Sequence, residues 1–391
     1  MNIKKIYIIT DSPIPVGYAP TNRILSYASG FLKNKIDCEI IVFRKTENDS
    51  SFRNYQNKGI VGGVRFEYLF KSTRRSKYFI KRRLDNIYGL FKLLMLSLTR
   101  FNKGNVIIYY SYYTRYILML NIIKKFKKYK ILKEESENPN VYRPGKNVIS
   151  WFIFKRIHYR LFDGFLLMTE KLISYFKENY SDTPVAHIPM TVDIDRFQQK
   201  KTNPEKRIAY VGSLNDNKDG IFILLEAFKN VQREIDDYYL LICGYFSSLA
   251  QKKKIQKYIS DNEIENKVIF KQNVSNLEIP KILINSKFLI LPRPNSLQAQ
   301  HGFPTKLGEY LATGNPVIVT DVGEITHYLQ DNITAYISQP GNVNSLKFKI
   351  LEAIRNENRS KEIGKKGREV AEIYFNNKVQ TRRIIEFIYT L

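Results

Sequence analysis

The sequence has little of what a disulfide-stapled, zinc-binding or membrane-spanning protein needs. It contains two cysteines, one tryptophan and four histidines in 391 residues. Cys38 and Cys243 both adjoin apolar runs typical of buried strands, so we expect reduced core thiols. The histidines are scattered and form no close Cys/His cluster, and we expect no metal site. No stretch reaches the roughly 18 apolar residues of a membrane span, and the N-terminal apolar run is too short for a signal peptide, which predicts a cytoplasmic protein.

Acidic residues are also in short supply. Lys and Arg number 63 against 37 Asp and Glu, a formal charge of +26. Such a charge predicts attraction to phosphorylated ligands, to polyanions or to an anionic membrane surface, although a general residue bias of the source explains it equally well. Because no nucleic-acid recognition motif accompanies the charge, we expect no nucleic acid partner.

Short apolar runs alternate with segments of helical periodicity. The first series of runs lies at 6–9, 39–43, 106–110, 130–132 and 165–168, and the second at 208–211, 239–243, 268–270, 288–291 and 317–320. This βα alternation predicts two parallel sheets. A polar stretch at 198–206 predicts the boundary between an N-terminal domain, 1–202, and a C-terminal domain, 203–372, and the last helix, about 373–391, can pack back onto the first domain.

One predicted helix of the first domain carries an apolar stripe and follows a run of basic residues. The apolar positions are Ile80, Leu84, Ile87, Phe91, Leu94 and Leu98. The preceding cations are Lys71, Arg74, Arg75, Lys77, Lys81, Arg82 and Arg83. Such a stripe can rest on an anionic bilayer or form the core face of a domain helix, and we favour core packing.

The most informative segment is 301–320, which predicts a loop, a helix and a strand. Gly302 allows close approach of a ligand, and Pro304 presets the first helical turn. The N-terminus of this helix presents free N–H groups and a positive dipole end, which suit phosphate oxygens. Glu309, further along the helix, can accept hydrogen bonds from the vicinal hydroxyls of a ribose, unless it is an ordinary surface glutamate.

The segment GFPTKLGEYLATGNPVIV resembles the signature of family 4 retaining glycosyltransferases of the GT-B fold. The resemblance implies an α/β protein with two Rossmann-like domains whose parallel sheets face each other across a cleft. It also implies that Glu309 binds the donor ribose. The family usually has an acid eight residues earlier, in contact with the transferred sugar, and here that position is His301, a candidate catalytic residue.

A second similarity covers 210–220, a strand, a glycine turn and a helix start. The family uses this turn for the diphosphate, with an arginine after the glycine and a lysine about five residues on. Here Ser213 follows Gly212, and Lys218 is the remaining cation, which we expect to stabilise the leaving group unless it is a solvated surface lysine. The expected donor-binding residues are Gly212, Ser213, Val274, Gly302, Phe303, Pro304, Thr305 and Glu309.

The acceptor side is expected in the first domain. The loop that follows the first strand resembles the family's first loop, which predicts that Gly17 and Arg23 face the cleft. Glu135 and Glu137 follow a later strand and either orient acceptor hydroxyls or balance the nearby lysines. Asp193 and Asp195 superficially resemble a metal-binding pair, but they lie in an interdomain pattern that is structural in the family.

The resemblance therefore implies a retaining, metal-independent glycosyltransferase of bacterial surface-polysaccharide assembly, such as capsule or lipopolysaccharide. Its donor would be a UDP- or GDP-linked sugar, with no further cofactor, and its acceptor a saccharide or a lipid-linked saccharide. It would work in the cytoplasm, peripherally at the inner membrane face. The alternative is an inactive GT-B-like protein that binds a phosphorylated lipid or polysaccharide, with Ser213 and His301 as marks of lost catalysis.

Overall fold

The computed structural model describes residues 3–48, 53–140, 148–199, 204–246, 248–272, 274–296, 299–300 and 302–391. The chain divides into two compact units, one formed by Met1–Thr191 with Asn377–Leu391 and the other by Val192–Asn376. The chain enters the second unit before the polar stretch at 198–206, because Val192 donates its N–H to the carbonyl of Phe375 at 2.8 Å and Ile194 and Phe197 are buried there.

The first unit is built on an eight-stranded sheet in the order β3-β4-β2-β1-β5-β6-β7-β8. All neighbours in it are parallel except the pair β3–β4. The strands are β1 Lys5–Thr10, β2 Cys38–Val42, β3 Lys58–Val61, β4 Val64–Tyr68, β5 Asn105–Tyr110, β6 Lys130–Glu135, β7 Gly164–Leu167 and β8 Val185–His187. The helices are α1 Ala19–Lys33, α2 Phe79–Arg100, α3 Thr114–Lys127, α4 Val148–His158 and α5 Glu170–Asn179.

The second unit is built on a six-stranded parallel sheet in the order β11-β10-β9-β12-β13-β14. Its strands are β9 Glu205–Ser213, β10 Tyr239–Tyr245, β11 Val268–Lys271, β12 Ser286–Leu291, β13 Val317–Thr320 and β14 Tyr336–Ser338. Its helices are α6 Asp216–Asp219, α7 Ile221–Gln232, α8 Leu249–Asp261, α9 Ile279–Ile284, α10 Thr305–Ala312, α11 Ile325–Tyr328, α12 Val343–Arg355 and α13 Glu357–Val370. Single turns of other helix types lie at Tyr159–Leu161, Ile194–Phe197, Glu265–Lys267 and Ala371–Phe375.

The last helix, α14 (Asn377–Thr390), returns to the first unit and packs on α1. Asn377 donates from its side chain to the carbonyl of Ser26 at 3.1 Å, and Ile384 and Ile388 are fully buried. The two helices approach closely at Gly30, where a Cβ would lie 2.5 Å from the carbonyl oxygen of Asn377. Only glycine fits that contact.

The central strands are apolar on both faces because helices cover both sides of each parallel sheet. Each of the ten apolar runs coincides with a strand, although Phe43 and Met168 lie one residue beyond the ends of β2 and β7. Both cysteines are buried and free. The sequence reading omitted four strands, β3, β4, β8 and β14. They are short, and β3 pairs antiparallel with β4 at a sheet edge, so they lack the long apolar run that marks a central strand.

The prediction that the apolar stripe of α2 packs in the core is wrong for five of its six residues. Ile80, Leu84, Ile87, Phe91 and Leu98 are exposed, and Leu94 is half-buried. The helix packs through a different face, whose buried residues are Gly89, Leu93, Leu96 and Ser97. Within the described residues, none of the helices combines the length and the apolarity that crossing a bilayer requires.

Candidate active site

The candidate site of the second unit lies where the strand order reverses. β9 and β12 are neighbours in the sheet, and the chain continues from them toward opposite edges. Ligands of open α/β sheets bind outside the carboxyl ends of the strands at this point. The loops that follow the two strands touch, since Ser296 donates its hydroxyl to the carbonyl of Asn217 at 2.6 Å. At Gly220 a Cβ would lie 2.0 Å from the carbonyl oxygen of Pro292, so the loops approach too closely for a side chain there.

Lys306 extends from the first turn of α10 over the end of β9. Its Nζ donates to the hydroxyl of Tyr210 and to Oδ1 of Asp219, both at 2.8 Å. A Cβ on Gly212 would lie 1.8 Å from that Nζ, so the lysine occupies the space a side chain at 212 would fill. The turn at Gly212 and the first turn of α10 therefore pack together around the ammonium group of Lys306.

Asp219 holds the cations of the site together. It accepts a hydrogen bond from the Ser213 hydroxyl and forms the ion pair with Lys306. Burial favours the neutral acid, but the Lys306 charge, its hydrogen bond and the Ser213 hydroxyl outweigh burial and hold the pKa of Asp219 below its usual value. The carboxylate therefore stays ionised at neutral pH.

Two further cations act on the same carboxylate. Lys218, on α6, lies close enough to Asp219 to stabilise its charge. Arg293 follows β12, is buried, and donates from Nη1 to the carbonyl of Gly302 at 3.0 Å. Burial lowers the pKa of Arg293 to about 10, and burial likewise lowers the pKa of Lys306 despite the attraction of Asp219. Three cations thus surround one carboxylate, which leaves a local excess of positive charge.

The N-terminus of α10 is fixed beside these cations. The hydroxyl of Tyr310 accepts the backbone N–H of Val211 at 2.7 Å, which ties the helix to β9. Phe303 is buried against Tyr328 and Phe375, with ring centroids 5.5 Å away in both cases. Pro304 is the last residue before the helix, which begins at Thr305. The N–H of Leu307 donates to the carbonyl of Pro304 at 3.0 Å. The N–H groups of Thr305 and Lys306 precede it at the start of the helix, where backbone donors are suited to an anion.

Glu309 lies one turn further along α10 and is held by Arg196. Nη1 of Arg196 donates to Oε1 of Glu309 at 3.1 Å, and its Nη2 donates to the carbonyl of Asn276 at 2.7 Å. Burial raises the pKa of Glu309, although the arginine opposes the rise. Arg196 uses one acceptor position of the carboxylate, which has about four.

The structure brings several of the predicted donor residues together and leaves others apart. Gly212, Ser213, Lys218, Gly302 and Thr305 lie at or beside the carboxyl ends of β9 and β12. Val274 is half-buried in the loop after β11, which is an edge strand two positions from β9. Phe303 and Pro304 are buried and position the helix. His301 lies outside the described residues.

Sequence reasoning missed Lys306, Asp219 and Arg293. Lys306 stands inside the quoted motif and Asp219 directly follows Lys218, but no spacing rule shows that the two meet. Arg293 carried no motif at all. The available signal was chemical: a lysine in the first helical turn is unfavourable next to the positive end of the helix dipole, which suggests a binding role.

The first unit does not offer Arg23 to a ligand. Arg23 is 2% exposed, and its Nε donates to Oε1 of Glu134 at 2.5 Å. Its other nitrogens donate to the carbonyls of Ile188 at 2.8 Å and Pro189 at 3.0 Å. The expectation that Arg23 faces the cleft is therefore wrong, because a buried guanidinium needs these internal partners.

The other expected acceptor residues differ in exposure. Glu135 is buried and accepts hydrogen bonds from Tyr112 and, at 2.9 Å, from Tyr159, while Nζ of Lys133 lies 3.3 Å from its Oε2. It serves the interior of the unit rather than a ligand. Glu137 is exposed. Gly17 packs against Thr21, since a Cβ there would lie 2.0 Å from the threonine hydroxyl.

A different carboxylate lies at the reversal point of the first sheet, between β1 and β5. Asp11 directly follows β1, and Ser111, which hydrogen-bonds to it, directly follows β5. Burial raises the pKa of Asp11, although Ser111 and the nearby Arg44 favour its charged form. Asp11 was not among the residues predicted from the sequence for the acceptor side, where the loop resemblance pointed to Gly17 and Arg23.

Asp193 and Asp195 have structural partners. Asp193 accepts the backbone N–H of Asp195 at 3.3 Å, and Asp195 accepts the side-chain amide of Gln198 at 3.0 Å. Across the part of the chain that the structure describes, no group of three or more His, Cys, Asp or Glu side chains is arranged to hold a metal ion.

The sequence of most of the second unit matches a known protein family. The Glycosyl transferases group 1 family matches residues 191–370. This part of the chain is similar to that family. The match covers the glycine turn, the loop after β12 and helix α10, so the residues gathered around Lys306 all lie inside the matched segment.

Two curated proteins are similar to part of the chain. An uncharacterized glycosyltransferase of Methanocaldococcus jannaschii is 28% identical over 160 residues, 41% of this chain and 41% of that protein. The lipopolysaccharide 1,2-N-acetylglucosaminetransferase of Salmonella typhimurium is 26% identical over 157 residues, 39% of this chain and 40% of that protein. The chain thus spans about two fifths of the length of these relatives.

A solved structure resembles the chain over nearly its whole length. The structure of Anabaena HepE in complex with UDP-glucose has a TM-score of 0.72 at 12% identity, and the match covers 99% of this chain and 100% of that one. At this identity the likeness shows the fold, and the expected GT-B fold with two Rossmann-like units is confirmed.

Proposed function

We propose that the protein is a glycosyltransferase that moves a sugar from a nucleoside diphosphate onto a saccharide or lipid-linked saccharide acceptor, with retention of anomeric configuration. One observation carries the proposal. Lys306 lies over Gly212 at the reversal point of the second sheet, with Lys218 and Arg293 near the same carboxylate and the N-terminus of α10 beside them. We propose that this is a site for two adjacent phosphates.

The charges support a diphosphate. Three cations and one carboxylate leave a positive excess, and the helix N-terminus adds N–H donors. A charge-assisted contact to a phosphate oxygen contributes about 1.5–3 kcal/mol, so two such contacts account for micromolar recognition together with the nucleoside. In our proposal Lys306 and Lys218 bind the phosphates, and these cations perform the neutralisation that a divalent metal performs in other transferases.

Glu309 supports recognition of the nucleoside. Arg196 fixes its carboxylate from one side, and the remaining acceptor positions suit two vicinal hydroxyls. We propose that these are the hydroxyls of the donor ribose. The UDP-glucose bound by Anabaena HepE favours UDP over GDP as the nucleotide.

The chemical step follows from the same charges. As the anomeric carbon acquires oxocarbenium character, negative charge develops on the departing phosphate oxygen. Lys306, Lys218 and the first turn of α10 are proposed to stabilise that charge. We further propose that the departing phosphate takes the proton of the acceptor hydroxyl on the same face of the sugar, which gives retention. His301 is proposed to contact the transferred sugar, where its imidazole can donate or accept a hydrogen bond.

We propose that the acceptor lies near Gly17 and Glu137 and also near Asp11. Asp11 lies at the reversal point of the first sheet, where α/β sheets bind ligands. The named activity of the Salmonella relative favours surface-polysaccharide assembly, with the enzyme in the cytoplasm at the inner face of the membrane.

The test is a screen of nucleoside diphosphates for thermal stabilisation, followed by product analysis with the matching nucleotide sugars. A ligand that binds only the folded state at 100 times its Kd raises stability by about 2.7 kcal/mol. We expect UDP to stabilise the protein and a UDP-sugar to be consumed with release of UDP. Stabilisation without turnover across all sugars and acceptors would instead favour the binding-protein alternative.

A further inference from the structure

The first unit presents an apolar surface that its own core leaves uncovered. On α2, Ile80, Ile87 and Phe91 are 73%, 66% and 54% exposed. The other exposed apolar side chains of the helix are Phe79, Leu84, Tyr88, Met95 and Leu98. Their positions recur at three- and four-residue steps, so they form one stripe along a helix of 22 residues. Isolated exposed apolar residues are ordinary, but a continuous stripe indicates an interaction surface.

Two further helices of the same layer also expose apolar side chains. α3 packs against α2 and exposes Leu118, Ile122 and Phe126, the last at 81%. α4 packs against α3 and exposes Phe152 and Ile157. We call these exposed apolar side chains of α2, α3 and α4 the α2–α4 face.

The α2–α4 face is rich in cations and poor in acids. The cations within its helices are Lys81, Arg82, Arg83, Lys92, Arg100, Arg115, Lys124, Lys125, Lys127, Lys155 and Arg156. The three helices contain one acid, Asp85, and it is paired with Lys45 at 2.9 Å. Acids of other elements pair with two of the cations, since Glu39 and Glu67 bind Arg100 and Asp163 binds Lys124. A protein partner of ordinary composition would not select so one-sided a charge, whereas an anionic lipid surface would.

A basic recess opens beside the first half of α2. It is shallow, open to solvent and lined by Arg44, Lys45, Phe70, Arg75, Arg82, Asp85 and Asn86. Four cations against one acid make its surface complementary to a phosphate group. The recess therefore adds a cluster of cations beside the face that a lipid headgroup can contact.

We propose that the α2–α4 face lies on an anionic bilayer, with its apolar side chains at the boundary between headgroups and acyl chains, its cations among the headgroups and a headgroup phosphate in the basic recess. The proposal commits to a lipid surface rather than to a second copy of the chain, because two copies of so cationic a face would repel each other. It does not depend on the transfer reaction, since lipid binding requires neither donor nor acceptor.

The test compares binding of the full chain to vesicles of phosphatidylcholine alone and to vesicles of phosphatidylcholine and phosphatidylglycerol in equal amounts, by co-sedimentation at low and high salt. We expect binding to the mixed vesicles, weakened by salt. Ile87→Glu with Phe91→Glu should reduce it by about tenfold or more, because both carboxylates would enter the interface. Phe348→Glu is the matched control, since Phe348 is similarly exposed at 62% but lies on α12 in the second unit.

The recess has its own variant, Arg75→Ala with Arg82→Ala. It should reduce the preference for phosphatidylglycerol while leaving the melting temperature unchanged. Binding of the glutamate variant as tight as that of the wild type would overturn the proposal. A wild-type dimer in sedimentation velocity that the same two glutamates convert to a monomer would also overturn it, since the face would then belong to a second copy.

Discussion

The side chain of Lys306 fills the space beside Gly212 at the end of β9, since its Nζ lies 1.8 Å from where a Cβ of residue 212 would be. The relationship joins the glycine turn after β9 to the first turn of α10. It places an ammonium group at the N-terminus of α10 and opposite Asp219. In the proposed reaction, this is where the diphosphate of the donor lies.

Gly212→Ala should displace Lys306 and weaken binding of a nucleoside diphosphate by about tenfold or more, the equivalent of one charge-assisted contact. The added methyl group and the lysine cannot share the space. Calorimetric titration with UDP measures the effect. Gly341→Ala is the control, because Gly341 also has a positive φ, +76°, but has open space around its Cβ position. Equal affinities of the two variants would contradict the role given to Gly212.

Lys218→Ala and Lys306→Ala should each reduce turnover by about one to two decades, since each removes a cation from the departing phosphate. The double variant should lose less than the sum of the two if both cations act on the same group. Steady-state rates with saturating acceptor provide the measurement, with circular dichroism to verify folding. Unchanged turnover of either single variant would remove that lysine from the leaving-group site.

Affinity for UDP should fall with rising pH earlier than an ordinary lysine would allow. Burial lowers the pKa of Lys306, so its ammonium loses the proton, and with it the attraction to phosphate, at a pH below the usual lysine value. Titrations should stay well below pH 10, because the pKa of Arg293 is about 10 and this group then also loses charge. Lys306→Arg should move the fall to higher pH, because the ordinary pKa of a guanidinium is at least about two units above that of an ammonium group. An identical pH profile for wild type and variant would contradict the assignment.

Glu309→Gln should weaken UDP and uridine by a similar factor, about tenfold, because both ligands carry the ribose that the carboxylate is proposed to bind. Lys306→Ala should weaken UDP alone. The pair of variants therefore separates ribose recognition from phosphate recognition in one set of titrations. A Glu309 variant that binds uridine as the wild type does would exclude the carboxylate from the ribose site.

Glu134→Ala should reduce the free energy of unfolding of the first unit by about 3–5 kcal/mol, because it leaves the buried guanidinium of Arg23 without its counter-charge. Urea unfolding followed by fluorescence measures the loss. Asp237→Ala is the control: it removes an exposed ion pair with Lys206, which water screens, so that its loss should have little effect. A loss as small as that of the control would mean that Arg23 is not held as the structure indicates.

The sequence predicted two parallel sheets and ten of their fourteen strands because buried parallel strands require apolar runs, and those runs stand out between amphipathic helices. It also predicted the glycine turn and the N-terminus of α10, where glycine and proline have defined backbone roles. It did not predict the ion pair between Lys306 and Asp219, since the two residues are distant in the chain and neither spacing nor periodicity encodes their contact.

The sequence also did not predict which side chains are buried and which are exposed. Arg23 looked like a ligand-binding residue, and only its pairing with Glu134 and the carbonyls of the following segment explains its place in the interior. The stripe on α2 has the same periodicity whether a core or a bilayer covers it. Its exposure follows from which face of α2 meets α3, a choice made by tertiary packing.

A crystal structure of the protein with UDP tests the account most directly. The account predicts a diphosphate within about 3 Å of Nζ of Lys306 and of the first-turn N–H groups of α10, with the ribose hydroxyls at Glu309. A UDP molecule bound elsewhere, with Lys306 still paired only with Asp219 and Tyr210, would contradict it.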